Sequence, residues 1–350
     1  MRLVRPSLSA AAATTSASAT TDFSTTKHLT WKQLLKPRSM AFYAVHLAAL
    51  GAIWTGIRPL DIAICLGLFW VRMFAITGAY HRYFAHRTYK TSRAFQFVLA
   101  FLGASAAQKG PLWWAGNHRD HHRYSDTDKD VHSPWYGGFF WSHVGWILSG
   151  DYEEIPYKNI GDFAKYPELR WLDRHVILPP FALGLATFLV GGWSALWIGF
   201  FLSTALLYHS TFTINSFMHR WGSQRYRTGD TSRNTLTFAL LTLGEGWHNN
   251  HHYYQSSCRQ GFYWWEIDVT YYVLKALSWV GLVWDIKSVP RAVREANHYA
   301  AGEPRLLRID GAAIRAAAQR AIETARDTAA GAAAILAPEQ AGAAMAASQG

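Results

Sequence analysis

Four apolar stretches are the feature that most restricts what this chain can fold into. They cover about residues 41–57, 62–80, 176–192 and 194–214, and they contain one basic residue between them, Arg72. Each is close to the roughly 20 residues with which an α-helix crosses the hydrocarbon core of a bilayer. We therefore predict an all-α integral membrane protein with four transmembrane helices. The alternative is a soluble enzyme whose core helices are unusually apolar.

The order of these stretches predicts two hairpins, joined by RPLD at 58–61 and by a glycine turn near 191–193. An even number of crossings then places both termini and the 81–175 segment on the same side of the membrane. The chain has 34 Lys and Arg residues, and all but Arg58 and Arg72 lie on this common side. Basic residues near the spans mark the cytoplasmic face, so the sequence predicts a cytoplasmic cap and cytoplasmic termini.

Composition divides the chain into three parts. Residues 1–37 are predicted to be a disordered tail and lead-in rich in Ala, Ser and Thr, 38–290 the membrane domain, and 291–350 an Ala-rich tail. Residues 1–27 lack the compact apolar region of a secretory signal, whereas a transit peptide is left open.

Charge and cysteine content exclude two further classes. The net charge of +11 follows from the membrane topology, and no separate basic patch indicates nucleic-acid binding. Two cysteines, Cys65 and Cys258, do not make a disulfide framework.

Histidines are concentrated in four short motifs on the predicted cytoplasmic side: HRYFAH, HRDHH, NSFMH and HNNHH. They hold nine of the sixteen histidines: His81, His86, His118, His121, His122, His219, His248, His251 and His252. Neutral imidazoles in such a group are typical ligands of iron, copper, zinc or nickel. The competing interpretation is that they are ordinary polar residues of a basic cap. The seven remaining histidines are predicted to be structural or solvated.

The spacing within the motifs predicts how a metal pair is held. In HxxHH on a helix, positions i, i+3 and i+4 share one face, and the two adjacent rings point roughly 100° apart. One such helix can present nitrogens to two neighbouring metals, so two HxxHH helices could clamp a pair. His81 and His86 diverge on a continuous α-helix, and we therefore expect the helix to end or unwind between them.

Carboxylates near the motifs are expected to orient the histidine rings by accepting hydrogen bonds. The candidates are Glu245, Asp120 and Asp126, with Asp128 and Asp130 close by in the sequence.

The motifs together resemble those of the membrane-bound fatty-acyl desaturases, specifically the acyl-CoA Δ9 (stearoyl-CoA) type. The resemblance covers roughly residues 38–290 and rests on GAYHRYFAHRTYK, on HRDHH followed by SDTD and HSPWYGGFFWSHVGW, on NSFMH, and on GEGWHNNHH. It implies a mushroom-shaped protein whose cap binds two iron ions (Fe2+/Fe3+) through the nine box histidines. It also implies that Asn215 reaches one iron through a water. Dioxygen would then be the oxidant that inserts a cis double bond.

The resemblance has implications for partners as well. The sequence contains no HPGG-type haem-binding segment, so the electrons are expected from a separate donor such as ferredoxin, cytochrome b5 or a reductase. Acyl-CoA is the expected carrier of the acyl chain. At two places the sequence departs from the family pattern, which often has charged residues there. These are the acidic ILSGDYEE at 147–154 and the uncharged Ala115, Gly116 and Asn117, and both weaken phosphate recognition. A phospholipid-linked chain is therefore an alternative carrier.

Two other functions compete with a desaturase. A histidine-box hydroxylase or ketolase would use similar ligands but add oxygen to the carbon. A metal transporter or sensor would need ionisable residues along the spans, which offer few besides Arg72, His46 and His209.

The substrate contacts predicted from the sequence are Trp114 and one face of the second span. That face carries Phe69, Trp70 and Phe74, with the smaller Thr77 and Gly78 nearer the metals. The bulky residues would form the floor of a narrow tunnel for the methyl end of the chain. The alternative is that this face only packs against another helix or lipid.

Overall fold

The computed structural model describes residues 29–301, 303 and 305. This part of the chain is helical, with one small antiparallel sheet of β1 (Lys90–Thr91) and β2 (Val283–Trp284). Three segments are wider π-helices: π1 (Ala75–Ala85), π2 (Trp141–Gly145) and π3 (Ala195–Leu202). The α-helices are α1 (Trp31–Leu34), α2 (Pro37–Ala49), α3 (Ala52–Thr55), α4 (Pro59–Phe74), α5 (Arg93–Ala104), α6 (Pro111–Tyr124), α7 (Gly138–Phe140), α8 (Trp146–Ser149), α9 (Tyr157–Ala164), α10 (Pro167–Arg174), α11 (Leu178–Ser194), α12 (Ser203–Ser216), α13 (Leu236–Leu241), α14 (His248–Tyr253), α15 (Val269–Trp279) and α16 (Arg291–Glu295).

Two helical segments of the described part are long and apolar enough to cross a membrane, Pro59–Ala85 and Leu178–Ser216. The second contains a break at Gly192, whose φ of 68° is a left-handed conformation that glycine adopts readily. This break separates α11 from π3 and α12, which pack against each other as the predicted hairpin. The stretch around 41–57 forms the two shorter helices α2 and α3. Crossing by four helices therefore stays a prediction.

Polar groups inside these helices have the partners that a membrane interior requires. The Arg72 guanidinium donates to the hydroxyls of Ser203 and Thr204, at 2.5 and 2.6 Å, and so joins α4 to the start of α12. His209 lies between His46 and His143, with ring nitrogens 3.0 Å from each. Both arrangements tie helices together, as expected for structural polar residues.

The described part of the chain has helical structure beyond the predicted 38–290 domain at both ends. Residues 31–34 of the expected disordered lead-in form α1, whose capping box is made by Thr30 and Gln33. At the other end α16 follows residue 290, and Glu303 accepts hydrogen bonds from Arg227. The remainder of both predicted tails lies outside the described residues.

Helix α6 is fixed at its start by residues from a distant part of the chain. Pro111 occupies its first turn, where the missing N–H is harmless. The Asp173 carboxylate of α10 accepts from the backbone N–H groups of Leu112 and Trp113, at 3.0 Å each. This cap orients α6, which carries the HRDHH motif, against π1 and α9.

Candidate metal centre

The HRYFAH motif lies at the end of π1. The backbone N–H of His86 donates to the carbonyl of His81 at 3.1 Å, an i→i+5 bond that defines π-helical geometry. This wider turn brings the two rings to a centroid distance of 4.8 Å. The sequence predicts that the helix ends or unwinds between His81 and His86. The helix does end between them, at Ala85. Before that point the helix widens, which α-helical spacing alone could not show.

Both HxxHH motifs are helical, as their spacing predicts. HRDHH belongs to the last turns of α6, and HNNHH forms most of α14. The box histidines fall into two groups, which are defined below. In each helix the rings at i and i+4 belong to one group, and the ring at i+3 belongs to the other. The two helices therefore share both groups between them.

The nine box histidines form two groups, and within each the ligand atoms lie within 4.8 Å of one another. We call these groups site A and site B. Site A consists of His81, His86, His118, His122 and His251, and site B consists of His121, His219, His248 and His252. The ligands of site B are all buried, whereas His86, His118 and His122 of site A are partly exposed.

The nitrogen contacts in site A cannot all be hydrogen bonds. The Nε2 atoms follow one another from His81 to His251, His122, His118 and His86, with separations of 2.9–3.0 Å. A neutral imidazole nitrogen carries either one hydrogen or one lone pair. An Nε2 atom in the middle of the series therefore cannot bond to both neighbours. Another kind of contact must therefore account for the close approach of these nitrogens.

These separations fit nitrogens that share a metal ion. Histidine nitrogens bind a first-row metal at about 2.0–2.1 Å, so neighbouring ligands approach within about 3 Å of one another. In site B the Nε2 atoms of His219 and His248 are 3.0 Å apart. The Nε2 atom of His252 is buried there, with no hydrogen-bond partner in the described part of the chain. The donor set of both sites suits transition metals rather than magnesium or calcium.

Four carboxylates orient four of the rings through Nδ1. Glu245 lies 2.5 Å from His81. Asp126 lies 2.8 Å from His219, and Asp130 lies 3.0 Å from His121. Asp230 is 2.6 Å from His252, and sequence spacing gave no signal for it. An N–H at Nδ1 donating to a carboxylate leaves the Nε2 lone pair free for a metal.

Asp120 does not take the role predicted for it. Its carboxylate pairs with Arg123 at 3.3 Å on the outer side of α6. Position 120 lies two residues from His118, and residues two apart on a helix point in nearly opposite directions. Asp128 is exposed to solvent.

Burial keeps most of the ligands neutral and ready to bind a metal. It lowers the pKa well below the ordinary range, and repulsion from neighbouring imidazoles lowers it further, for His86, His118, His122, His248 and His251. Burial also acts to raise the pKa of Asp130 and Asp230. The partner rings outweigh it, so the net pKa of both carboxyls is below its usual value. These two carboxylates are therefore ionised.

His219 is the exception among the ligands. Burial lowers its pKa, but Asp126 and neighbouring carboxylates raise it to about 9. A metal ion in site B would have to compete with this proton.

A large apolar cavity of about 840 Å³ reaches the centre beside site A. His118 lies in its wall, and Trp114 stacks on that ring at 5.0 Å. Away from the metals the cavity runs between α2, α11 and α12, along side chains such as Phe42, Phe188 and Phe212. Its lining is mostly apolar, as expected for a site that binds a hydrocarbon chain.

The predicted substrate contacts fall into two groups. Trp114 lines the cavity, and so does Asn215 near the end of α12. The described side chains of Phe69, Trp70 and Phe74 are not among the residues that line this cavity, so the tunnel floor on α4 stays a prediction. Phe69 is packed in the hydrophobic core, and Trp70 stands edge-on to it on the outer side.

The described helices and the two histidine sites define a class: a helical, membrane-associated protein with two groups of histidines that could hold metal ions. Comparison with known proteins makes this more specific. The sequence profile described as fatty acid desaturase matches residues 57–278, which is more than half of the chain. The chain belongs to the fatty acid desaturase family and is an oxidoreductase of fatty-acid metabolism.

Individual relatives differ in substrate and in the position of the double bond. The chain is 37% identical over 253 residues to the sn-1 stearoyl-lipid 9-desaturase of Anabaena variabilis, which covers 71% of this chain and 92% of the relative. It is 38% identical over 236 residues to the acyl-CoA C20 Delta5-desaturase of Anemone leveillei, covering 66% and 75%. A palmitoyl-monogalactosyldiacylglycerol delta-7 desaturase of Arabidopsis thaliana is also 38% identical, over 240 residues, 67% of this chain and 64% of the relative.

Proposed function

We propose that sites A and B each hold one iron ion and that the chain is a dioxygen-dependent fatty-acyl desaturase. The observation that carries this proposal is the series of five Nε2 atoms in site A, whose spacing suits a shared metal ion. Two redox-active metals beside an apolar cavity match the chemistry of removing hydrogen from an alkyl chain. Zinc would fit the nitrogens but is not redox-active.

The overall reaction fixes what the protein has to supply. A saturated pair of CH₂ groups, one O₂, two electrons and two protons give one cis double bond and two waters. Bound iron supplies the redox chemistry that activates dioxygen. The chain's own residues hold the metals, position the acyl chain and keep water away from the reacting carbons.

The chain's residues perform these tasks as follows. Glu245, Asp126, Asp130 and Asp230 fix the ring orientations on the side away from the metals. Trp114, stacked on His118, forms an apolar wall where the cavity meets the centre.

We propose Asn215 as an additional ligand group that reaches one metal through a water. Its position on the wall of the cavity supports this role. It lies one helical turn before His219, a ligand of site B.

We propose that the product is a Δ9-type unsaturated chain and that the acyl group is presented on a glycerolipid. The 9-desaturases acting on stearoyl- and palmitoyl-lipids among the relatives support both parts. Acyl-CoA, the carrier that the sequence favoured, needs cations for its phosphates. At the mouth of the cavity Arg38 pairs with Glu153, and Lys109 lies 4.0 Å from the same carboxylate. Glu153 therefore offsets one of these two positive charges, which leaves less charge for phosphates than two unpaired cations would.

We also propose that four helical segments cross the bilayer, that the metal centre lies in a cytoplasmic cap, and that a separate protein donates the electrons. The two long apolar segments and the concentration of Lys and Arg on one side support the topology.

Expression in a host that lacks Δ9 unsaturated fatty acids tests the function directly. We expect new monounsaturated chains two hydrogens lighter than their precursors, with the double bond located by mass spectrometry. A gain of one oxygen would indicate the hydroxylase alternative instead. The carrier is tested with purified protein, a reducing system, and either deuterated stearoyl-CoA or vesicles of deuterated distearoyl glycerolipid. We expect product from the vesicles, and product from stearoyl-CoA alone would contradict the proposed carrier.

A further inference from the structure

The metal centre faces the cavity on one side and the protein surface on the other. His118 is the ligand that lines the cavity, so an acyl chain covers that side. His86 and His122 are partly exposed but are not among the residues that line the cavity. Within the described residues, the ligands of site B are all buried. The edge of site A at His86 and His122 is therefore partly open to solvent outside the cavity.

Each partly exposed ligand is followed in the sequence by an arginine. Arg87 follows His86, Arg119 follows His118, and Arg123 follows His122. We call the surface formed by Arg87, Arg119 and Arg123 with Lys129 and Lys158 the arginine face.

Arg119 fixes the base of this face. Its guanidinium donates to the carbonyls of Phe84 and Ala85, at the end of π1, and to both oxygens of Asp162 in α9. The distances are 2.7–3.0 Å. Helix α9 is therefore held against the segment that ends at His86. The outer side of this joint carries the other basic residues.

The exposed ends of the face are positive. The side chains of Arg87 and Arg123 are 64% and 52% exposed, whereas their partners Asp162 and Asp120 are only 24% and 20% exposed. Arg123 and Lys129 both stand over the ring of Tyr124, at 6.0 and 5.6 Å from its centroid. Lys158, which is exposed, precedes Asn159, whose side chain accepts from Arg123. Of the acidic groups in this region, Asp128 is the exposed one.

We propose that the arginine face is the docking surface for the electron donor, and that this donor is an acidic protein carrying one electron at a time. The inference rests on the proposed function, because the reaction consumes two electrons in each turnover. Two reduced donor molecules are oxidised in turn, and each delivers one electron to the metal pair through the edge of site A. Positive charge around this edge steers a negatively charged partner to it and raises the rate of association.

Charge reversal on the face tests the proposal. The purified full chain, loaded with iron, is assayed with an acidic plant-type ferredoxin and its NADPH-dependent reductase. For Arg87→Glu, Arg123→Glu and Lys129→Glu we expect the KM for ferredoxin to rise about tenfold for each change, within the range by which electrostatic steering alters association. In the wild type, added salt should produce a similar rise, because it screens surface charges. The KM for the acyl substrate should stay constant.

The matched control is Arg291→Glu. Arg291 is exposed on α16, which packs on Tyr226 and Tyr253 rather than on the arginine face, so the same change in charge should leave the KM for ferredoxin unaltered.

Dithionite reduces the metal centre without a donor protein. A single turnover after this reduction therefore tests the desaturation chemistry independently of donor docking. If the wild type forms no product in this assay, the proposed function fails, independently of any donor. If the wild type forms product but the three reversals leave the KM for ferredoxin and its salt dependence unchanged, the docking proposal is overturned.

Discussion

At the scale of single residues, the centre depends on which nitrogen of each ring carries the proton. The carboxylates at Nδ1 of His81, His121, His219 and His252 hold the hydrogen on the side away from the metals. Ser232 and Thr228 donate to one oxygen of the Asp230 carboxylate, which orients the other oxygen towards His252. Groups of this kind usually alter metal affinity by about 10–100-fold when they are removed.

Replacing Asp230 by Asn should therefore weaken metal binding at site B. An amide can turn its NH₂ group towards His252 and stabilise the tautomer in which the hydrogen is on Nε2. We expect Asp230→Asn to lose about half or more of the iron during dialysis against a weak chelator, with a matching loss of activity. Iron per chain, measured by mass spectrometry, reports the result.

Asp120→Asn is the matched control, because that carboxylate lies on the outer side of α6 with Arg123. We expect wild-type iron content in this variant. Equal iron in both variants would show that Asp230 does not orient the ligand.

The sequence predicts that the box histidines come together, because the spacing within each box and the helical geometry depend on local structure. His118 and His122 are one turn apart, and any helix brings such rings together. Asp230 is different, because it lies 22 residues before His252 in a loop, and only tertiary packing joins them. Asp120 shows the opposite case. It is adjacent to the box histidines in the sequence, but on α6 its side chain points away from them.

At the scale of elements, π1 and α6 determine the shape of site A. The i→i+5 turn of π1 brings His81 and His86 together, and no pattern of residue types in HRYFAH distinguishes a π-helix from an α-helix that ends. Helix α6 is fixed at its start by Asp173, from a segment some sixty residues away in the chain. Sequence patterns predict that α6 exists, but the residue that caps it follows from the tertiary fold.

Asp173 should make the stability of the fold depend on pH. Burial raises its pKa to about 6, although the N–H groups of Leu112 and Trp113 act in the opposite direction. The unfolded value is about 3.9, so the folded state binds more protons between these limits. The contribution of this group to the free energy of unfolding is fully present below about pH 4 and is lost as the pH rises through 6.

We therefore expect the wild-type midpoint of thermal unfolding to fall, relative to that of Asp173→Asn, between pH 4.5 and pH 7. The amide oxygen of the variant can accept one of the two cap hydrogen bonds, and the amide does not titrate. Scanning calorimetry in detergent at both pH values measures the difference. Asp128→Asn, which changes an exposed carboxylate, should follow the wild type. A midpoint for Asp173→Asn that also runs parallel to the wild type would contradict the prediction.

Helix α11 should set the preferred length of the acyl chain. The cavity begins at His118 and extends to Phe188 and Trp193, close to the Gly192 turn. The ring of Trp193 packs edge-on against Phe188 at 4.9 Å, so it narrows the end far from the metals. Truncating it lengthens the space for the methyl end, and we expect Trp193→Ala to shift the products towards longer chains.

Trp70→Ala is the matched control for chain length. Trp70 belongs to α4, on the face that sequence spacing suggested but that does not line the cavity. Gas chromatography of the product chains should show the wild-type profile for this variant. A shift in product chain length for Trp70→Ala, and none for Trp193→Ala, would indicate that the tunnel ends at α4.

At the scale of the whole molecule, both histidine sites, the arginine face and one wall of the cavity meet around α6. The apolar stretches correspond to the two long segments Pro59–Ala85 and Leu178–Ser216, whereas 41–57 forms only the shorter helices α2 and α3. They do not predict which helices enclose the cavity, since all of them are apolar and packing decides the arrangement. Phe69 and Phe188 both lie in apolar stretches, so the sequence does not show which of them contacts the acyl chain. The packing of Phe69 into the hydrophobic core distinguishes them.

The orientation of the molecule provides the last prediction. Lys and Arg residues are concentrated on the side of the metal sites, so we expect that side to face the cytoplasm. The native cysteines, Cys65 and Cys258, are buried and should give little background in labelling experiments. With a membrane-impermeant maleimide on intact cells, Ile57→Cys in the exposed outer turn should be labelled and Asp128→Cys beside the metal sites should not. Asp128→Cys should react once the cells are lysed, which shows that its thiol is accessible. Labelling of position 128 but not of position 57 in intact cells would mean that the metal centre faces the outside.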